Sequence, residues 1–472
     1  MGESPPASLF EFWELSSHSI EEQLLMYDIP FTENHVVESG SEKENFYSVS
    51  SSSLHRETQG PKQTPDDEEA LYLPASRVKE QKGVDVDAIL KSLLVMPTRV
   101  IPVVPDIEPE SIIEEPTSPR SEVKVDKYGF VVEEEEEEEK KEIVSRKRSG
   151  TGRDRSVTLS RKKTHKTEEK WRNISKNLEV FLGEKRKKLK KLLRRGVPDS
   201  LRAEIWKGLM DVNDLKKTSG DIFQTLQQQE CSEDFERVIL KDLSRTLPHH
   251  IMFQEGGQGR ESLHKILKAY SLYNPSVGYC QGMGFLAAMF LIYMQEEDAF
   301  FMLIQVIDKL GLSGIFAEGL VAVKEHLFIH SQLCKTVFPK LNAHLEETVV
   351  VHGCMPVENP WDVAKLYATQ WFFNIFIHVL PFEFILRIWD VLLYDGFMVA
   401  HQVALAILKL SQKDLMKLRF DGLLMFLKDI DTYLSKNVTV DQFINACVEY
   451  KIGSRITKLS KTYQEQFAHL PM

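Results

Sequence analysis

Cysteine is scarce in this sequence, long apolar runs are missing, and so are the signatures by which most enzymes hold phosphate, metal or a nucleophile. The five cysteines (Cys231, Cys280, Cys334, Cys354 and Cys447) are scattered, odd in number and never paired as CxxC. That pattern fits free thiols in a reducing compartment and argues against a disulfide framework or a cysteine zinc site. The longest apolar stretch, residues 285–294, is far short of the roughly 20 residues that a membrane span needs. Residues 1–7 carry Glu3, Pro5 and Pro6 instead of a basic start and an apolar run, so no signal peptide is read there. Gly2 follows Met1, but Pro6 stands where a myristoylation signal wants Ser or Thr. A soluble chain is expected, with any membrane association peripheral.

Catalytic motifs are missing too. There is no GxxxxGK[ST] phosphate loop, no HExxH and no GxSxG elbow. Gly256-Gly257-Gln258-Gly259 follows no strand pattern and opens no dinucleotide unit. The histidines are scattered and read as surface or core residues. The chain is therefore expected to hold no metal or cofactor of its own and to hydrolyse no nucleotide alone.

What is present is unevenly distributed. Of 472 residues, 42% are apolar, enough for a large core, but they thin out from about residue 33 to 170 and concentrate from Trp171 onward. The front is rich in Ser, Glu, Lys and Pro. Its acidic run at residues 133–139 contributes to a net charge of −11, and residues 146–163 and 185–195 are basic. Such blocks are usually solvated. Three regions follow: a short aromatic docking segment at 1–30, a disordered stretch at 31–170, and a helical domain at 171–472. One island, Asp126-Lys127-Tyr128-Gly129-Phe130, interrupts the second. An acidic chain argues against nucleic-acid binding, and a nuclear role would rest only on the basic runs.

From Trp171 the apolar spacing is helical and alternating strand patterns are nearly absent, so the fold class is all-α. Gly196-Val197-Pro198 precedes a helix capped by Asp199 or Ser200, with Leu201, Ile205, Trp206 and Leu209 on one face. A second helix carries Phe235, Ile239, Leu243 and Leu247 as its buried stripe, and a third shows Leu263, Ile266, Leu267 and Tyr270. The next, about residues 282–295, is apolar nearly all round. Later helices are expected at 299–310, 321–338, 362–379, 382–394, 399–410 and 415–434.

Two segments draw attention. In residues 239–248, Arg245 falls off the apolar stripe, and Asp242 is placed to brace its guanidinium through an i, i+3 pair. Taken alone, Arg245 also reads as a solvent-facing arginine. In residues 277–284, glycines flank Tyr279-Cys280-Gln281 and admit close approach of another backbone or a ligand. Gln281, at the entrance of the most apolar helix, also reads as a cap for its free N–H groups.

Together they resemble the TBC-domain family of Rab GTPase-activating proteins. The resemblance lies in IxxDxxR followed by T-x-P, then Gly278-Tyr279-Cys280-Gln281-Gly282-Met283 after Ala269-Tyr270-Ser271-Leu272-Tyr273-Asn274-Pro275. Arg195-Gly196-Val197-Pro198 with Arg202 and Trp206, the Tyr367-to-Phe372 segment, and Arg387-Ile388-Trp389-Asp390 match in order. Asp126 to Phe130 resembles a short segment upstream of the domain in some members. The resemblance implies a multi-helix TBC domain that accelerates GTP hydrolysis by a Rab-family GTPase in its GTP form. Arg245 would be the arginine finger and Gln281 the glutamine finger, with GTP and Mg²⁺ carried by the partner. Asp242, Tyr279 and Arg202 would support them, and Trp206, Trp371 and Trp389 would serve the core. It also implies a cytoplasmic protein recruited to endomembranes in vesicle trafficking. An adaptor that binds a Rab without accelerating it is the rival reading. Because both fingers lie beyond Trp171, residues 171–472 are expected to suffice for activity.

Overall fold

The computed structural model describes residues 124–132, 153–317, 321–352 and 357–467, all within the unit Leu93–Met472. The docking segment expected at 1–30 and most of the stretch from 31 to 170 lie outside these residues.

Among the described residues the fold is all-α; the β contacts are two isolated bridges. Helix α1 (Arg153–Lys176) starts well ahead of Trp171. Residues 153–170 lack an apolar stripe but hold helix-favouring Arg, Lys and Glu and no Gly or Pro, so propensity extends the helix where periodicity is silent. It is followed by α2 (Leu178–Gly183), α3 (Arg186–Leu193), α4 (Asp199–Leu209), α5 (Val212–Ser219) and α6 (Ile222–Gln227). Pro198 occupies the cap position of α4. The Asp199 carboxylate is not a cap; it pairs with Arg202 inside the first turn.

The centre is α7 (Glu233–Arg245), α8 (Gln258–Tyr273), α9 (Met283–Tyr293) and α10 (Glu296–Lys309). Every residue of α9 from Met283 to Leu291 is buried, and α8 packs on α7, α9 and α10. Ser232 caps α7 by accepting from the Phe235 N–H at 3.3 Å. The expected α7 stripe holds for Ile239 and Leu243, but Leu247 lies past the helix end, buried at φ +48°.

A second group comprises α11 (Ser313–Phe316), α12 (Val321–Val337), α13 (Pro339–Glu347), α14 (Asp362–Phe373), α15 (Phe382–Asp395) and α16 (Met398–Leu415). It closes with α17 (Phe420–Lys428), α18 (Ile430–Asn437), α19 (Val440–Glu449) and α20 (Gly453–Gln466). Two helices read as continuous are broken. Residues 362–379 leave the helix after Phe373, because Ile375 and Phe376 take φ +47° and +63° and bury both side chains completely. Left-handed, non-glycine residues in sequence are costly and persist only where packing fixes them. Residues 415–434 divide at Asp429 into α17 and α18.

The tryptophans meet the core expectation. Trp206, Trp371 and Trp389 are at most 1% exposed, and Phe290 of α9 bridges Trp206 and Trp389 with ring centroids 6.5 and 5.7 Å away. Residues 124–132, expected to lie in the disordered stretch, instead form a tight loop packed on α15 and on the segment after α7.

Candidate functional site

The site forms where the C-terminal end of α7 meets the N-terminal end of α9. Arg245 is the last residue of α7. Its Nη2 donates to Asp242 Oδ1, the i, i+3 brace expected from sequence, and its side chain is 21% exposed instead of fully solvent-facing. Asp242 is almost completely buried, and its other oxygen, Oδ2, accepts the Tyr279 hydroxyl at 2.5 Å. One carboxylate therefore ties the arginine to the segment that carries Gln281, two residues beyond Tyr279. Thr246, read in the sequence only as part of the T-x-P motif, closes the same turn by donating its hydroxyl to the Asp242 carbonyl at 2.7 Å.

Burial pushes the Asp242 carboxyl above its ordinary value, against the opposing pull of the Arg245 guanidinium and the Tyr279 hydroxyl. Burial likewise holds the Tyr279 phenol well above its usual range, with Asp242 adding to the shift, so Tyr279 remains a donor. Burial and nearby Asp242 push the Cys280 thiol up to about 12, which removes it as a nucleophile.

Gln281 is 5% exposed, and Gly282, not Gln281, takes the cap position of α9, without any side-chain cap bond. The capping reading of Gln281 is therefore not what is seen: Oε1 is buried and finds no hydrogen-bond partner among the described residues. The glycines around it do not leave space for a ligand. A Cβ on Gly278 (φ +62°) would come within 2.9 Å of Phe235 Cε1, and one on Gly282 (φ +95°) would lie 2.8 Å from Phe373 and 2.9 Å from Asn374 Oδ1. The chain's own rings fill these places and seat the loop between α7 and α14.

Asn374 was also missed. It is completely buried behind Gly282, and neither Oδ1 nor Nδ2 has a partner among the described residues; Arg245 Nε is in the same condition. Buried polar atoms left unpaired cost about 1–3 kcal/mol each, and this site holds several of them together. A lone Asn in the apolar run from Trp371 to Ile377 was the signal in the sequence.

Arg202 is brought neither to Arg245 nor to Gln281. It donates through Nε to Asp390 at 3.2 Å and through Nη2 to the Val197 carbonyl at 2.7 Å, with Tyr293 and Asp199 at Nη1. Asp390 in turn accepts from Val197 N and Trp206 Nε1 at 2.8 and 2.9 Å. Burial opposes the Arg202 charge, but Asp390, Tyr293 and Asp199 outweigh it and raise its pKa. Arg202 thus locks the start of α4 to α15, a framework role one step removed from the α7–α9 junction.

Among the described residues no group of His, Cys, Asp or Glu is arranged to hold a metal, and no helix is long and apolar enough to cross a membrane.

Comparison with known proteins places the domain that contains this junction. A family model described as the Rab-GTPase-TBC domain matches residues 199–416, which contain both Arg245 and Gln281. TBC1 domain family member 10B of Mus musculus is 35% identical over 251 residues, 53% of this chain and 30% of that protein. Rab GTPase-activating protein tbc-11 of Caenorhabditis elegans is 34% identical over 245 residues, 51% of this chain and 25% of that protein. The chain thus spans less than a third of the length of these two relatives. The crystal structure of the Chlamydomonas flagellar RabGAP TBC domain matches with a TM-score of 0.51 at 23% identity, over 69% of this chain and 99% of that one, which speaks for the fold. Residues 199–416 of this chain are a Rab-GTPase-TBC domain.

Proposed function

We propose that this chain is a GTPase-activating protein for a Rab-family GTPase in its GTP form, supplying Arg245 and Gln281 in trans. The observation that carries the reading is the shared carboxylate: Asp242 holds Arg245 through Oδ1 and Tyr279 through Oδ2, and so couples the positions of the two fingers.

Phosphoryl transfer to water asks little covalent chemistry of a protein. It needs the nucleophile aligned and the charge on the transferred phosphoryl oxygens stabilised. The GTPase brings GTP, Mg²⁺ and its phosphate loop. Arg245 adds a planar cation with several donors, aimed by Asp242. Gln281 orients the attacking water, its Oε1 accepting a water hydrogen while its NH₂ is free to donate. The unpaired Arg245 Nε and Gln281 Oε1 support this reading, because each side chain would gain partners on turning outward toward a docked GTPase. Such an arginine is worth about 10³–10⁵ in rate.

The family also supports a cytoplasmic protein that reaches endomembranes peripherally and acts in vesicle trafficking. The test is single-turnover GTP hydrolysis by a panel of purified Rabs, with and without catalytic amounts of the full chain. At least one Rab should be accelerated by about 10³-fold or more. Binding to a GTP-loaded Rab without acceleration of any panel member would reduce the protein to an adaptor.

A further inference from the structure

We propose that residues 124–132, far upstream of the matched domain, are a positioning segment for Arg245 that acts through His250. The proposal rests on the reading of Arg245 as a catalytic finger and extends it.

The segment folds on itself first. Asp126 Oδ1 accepts the N–H groups of Tyr128 and Phe130 at 2.8 and 3.0 Å, and Asp126 N donates to the Phe130 carbonyl at 2.8 Å. Gly129, at φ +96°, makes the turn. The loop then docks on the chain just after the finger. Val131 N donates to the His249 carbonyl at 2.8 Å, and Ile251 N donates to the Gly129 carbonyl at 2.9 Å. His250 Nδ1 accepts from Met252 N at 3.2 Å, so the ring proton sits on Nε2 and is donated to the Tyr128 carbonyl at 2.7 Å. Burial lowers the His250 pKa, consistent with this neutral form.

The other side of the loop is anchored on α15. Tyr128 and Phe130 lie 5.3 and 5.0 Å from the Phe382 ring, and Lys127 Nζ is 3.9 Å from Glu383. Between His250 and Arg245 runs only the short stretch Thr246 to His249. It contains Leu247, a buried non-glycine residue at φ +48° that is held by its surroundings. Its near end is fixed by Thr246 on the Asp242 carbonyl, and its far end by the 124–132 loop. The loop therefore sets where the end of α7, and the guanidinium it carries, stands relative to α15.

The test uses the full chain and two readouts. A Cβ at Gly129 would lie 2.8 Å from His250 Nε2, so Gly129→Ala should undock the loop. His250→Asn keeps an acceptor for Met252 N but loses the donor to Tyr128, whereas His250→Gln keeps that donor. Without any GTPase present, hydrogen exchange at Ile251 should quicken in Gly129→Ala and His250→Asn and stay near wild type in His250→Gln. With a responsive Rab, the first two should lose about 10- to 100-fold in kcat at nearly unchanged KM, and His250→Gln should retain most of it. Faster exchange at Ile251 with unchanged kcat would overturn the proposal. So would equal losses in all three variants that simply track melting temperature. If wild type stimulates no Rab, the activation reading fails, and unchanged exchange in Gly129→Ala would separately defeat the brace.

Discussion

At the scale of single residues, the proposal turns on Asp242, a buried acid with one oxygen on Arg245 and the other on Tyr279. Tyr279→Phe removes the hydroxyl and leaves Oδ2 without that donor. It should cost about 1–3 kcal/mol in stability and lower stimulated hydrolysis, because Gln281 loses its link to Arg245. Asp242→Asn should be more damaging to rate than to folding, since the amide keeps the shape but gives up the charge that orients the guanidinium. Rates compared at equal folded fraction check both, and full activity in either variant would contradict the coupling. The Asp242–Arg245 pair was legible in the sequence from helical spacing alone. The Tyr279 hydroxyl on the same acid was not, because no periodicity within one segment encodes a contact across 37 positions. Gln281 was legible as a site residue only through resemblance, and its buried, unpaired Oε1 is a property of three-dimensional packing.

Among whole elements, the junction of α4, α9 and α15 supports the site from behind. Trp389→Ala should cost about 3–5 kcal/mol, seen as a lower melting temperature and poor expression, with activity per folded molecule retained. Helices α12 and α16 supply a pH dependence. His401 Nε2 meets His326 Nδ1 at 3.3 Å, and His330 Nε2 meets the Tyr367 hydroxyl at 3.0 Å; His330 and His401 are buried, and His326 and Tyr367 are half-buried beside them. Burial lowers His326 to about 4 and His330 to about 3, from an ordinary value of 6.5. The unfolded chain then binds more protons than the folded one, so stability falls as pH drops below 6.5 and keeps falling to about 4 and about 3 respectively. At pH 5 each histidine should cost roughly 2 kcal/mol. Melting curves at pH 7 and 5 check this, and a flat profile would mean the rings are not held neutral. Most helices were readable because apolar residues recur at helical spacing. The exceptions have physical causes: α1 begins in a polar stretch with no stripe to read, and α14 ends where core packing forces Ile375 and Phe376 into left-handed backbone.

For the molecule as a whole, the sequence reading made residues 171–472 sufficient for activity, and the docked loop at 124–132 changes that expectation. A protein truncated before Trp171 should fold, since its core is intact, but should stimulate hydrolysis less than one that begins ahead of Lys124. Melting temperature and kcat for the two truncations distinguish this from the modular reading, under which they would be equal. The composition that suggested an unfolded stretch was averaged over many residues, and so diluted the one island whose aromatic rings find Phe382. The central claim, that two side chains of this chain complete the catalytic site of a Rab, is tested most directly by one kinetic comparison. Single-turnover GTP hydrolysis is measured for a responsive Rab, and for the same Rab with its own water-orienting glutamine replaced by Leu, in the presence of wild type, Arg245→Lys or Gln281→Ala. Wild type should accelerate both Rabs, Arg245→Lys should lose about 10³-fold or more while melting as wild type does, and Gln281→Ala should fail with the Leu-substituted Rab. Undiminished acceleration by Arg245→Lys, or a Leu-substituted Rab that binds but never responds to wild type, would contradict the account.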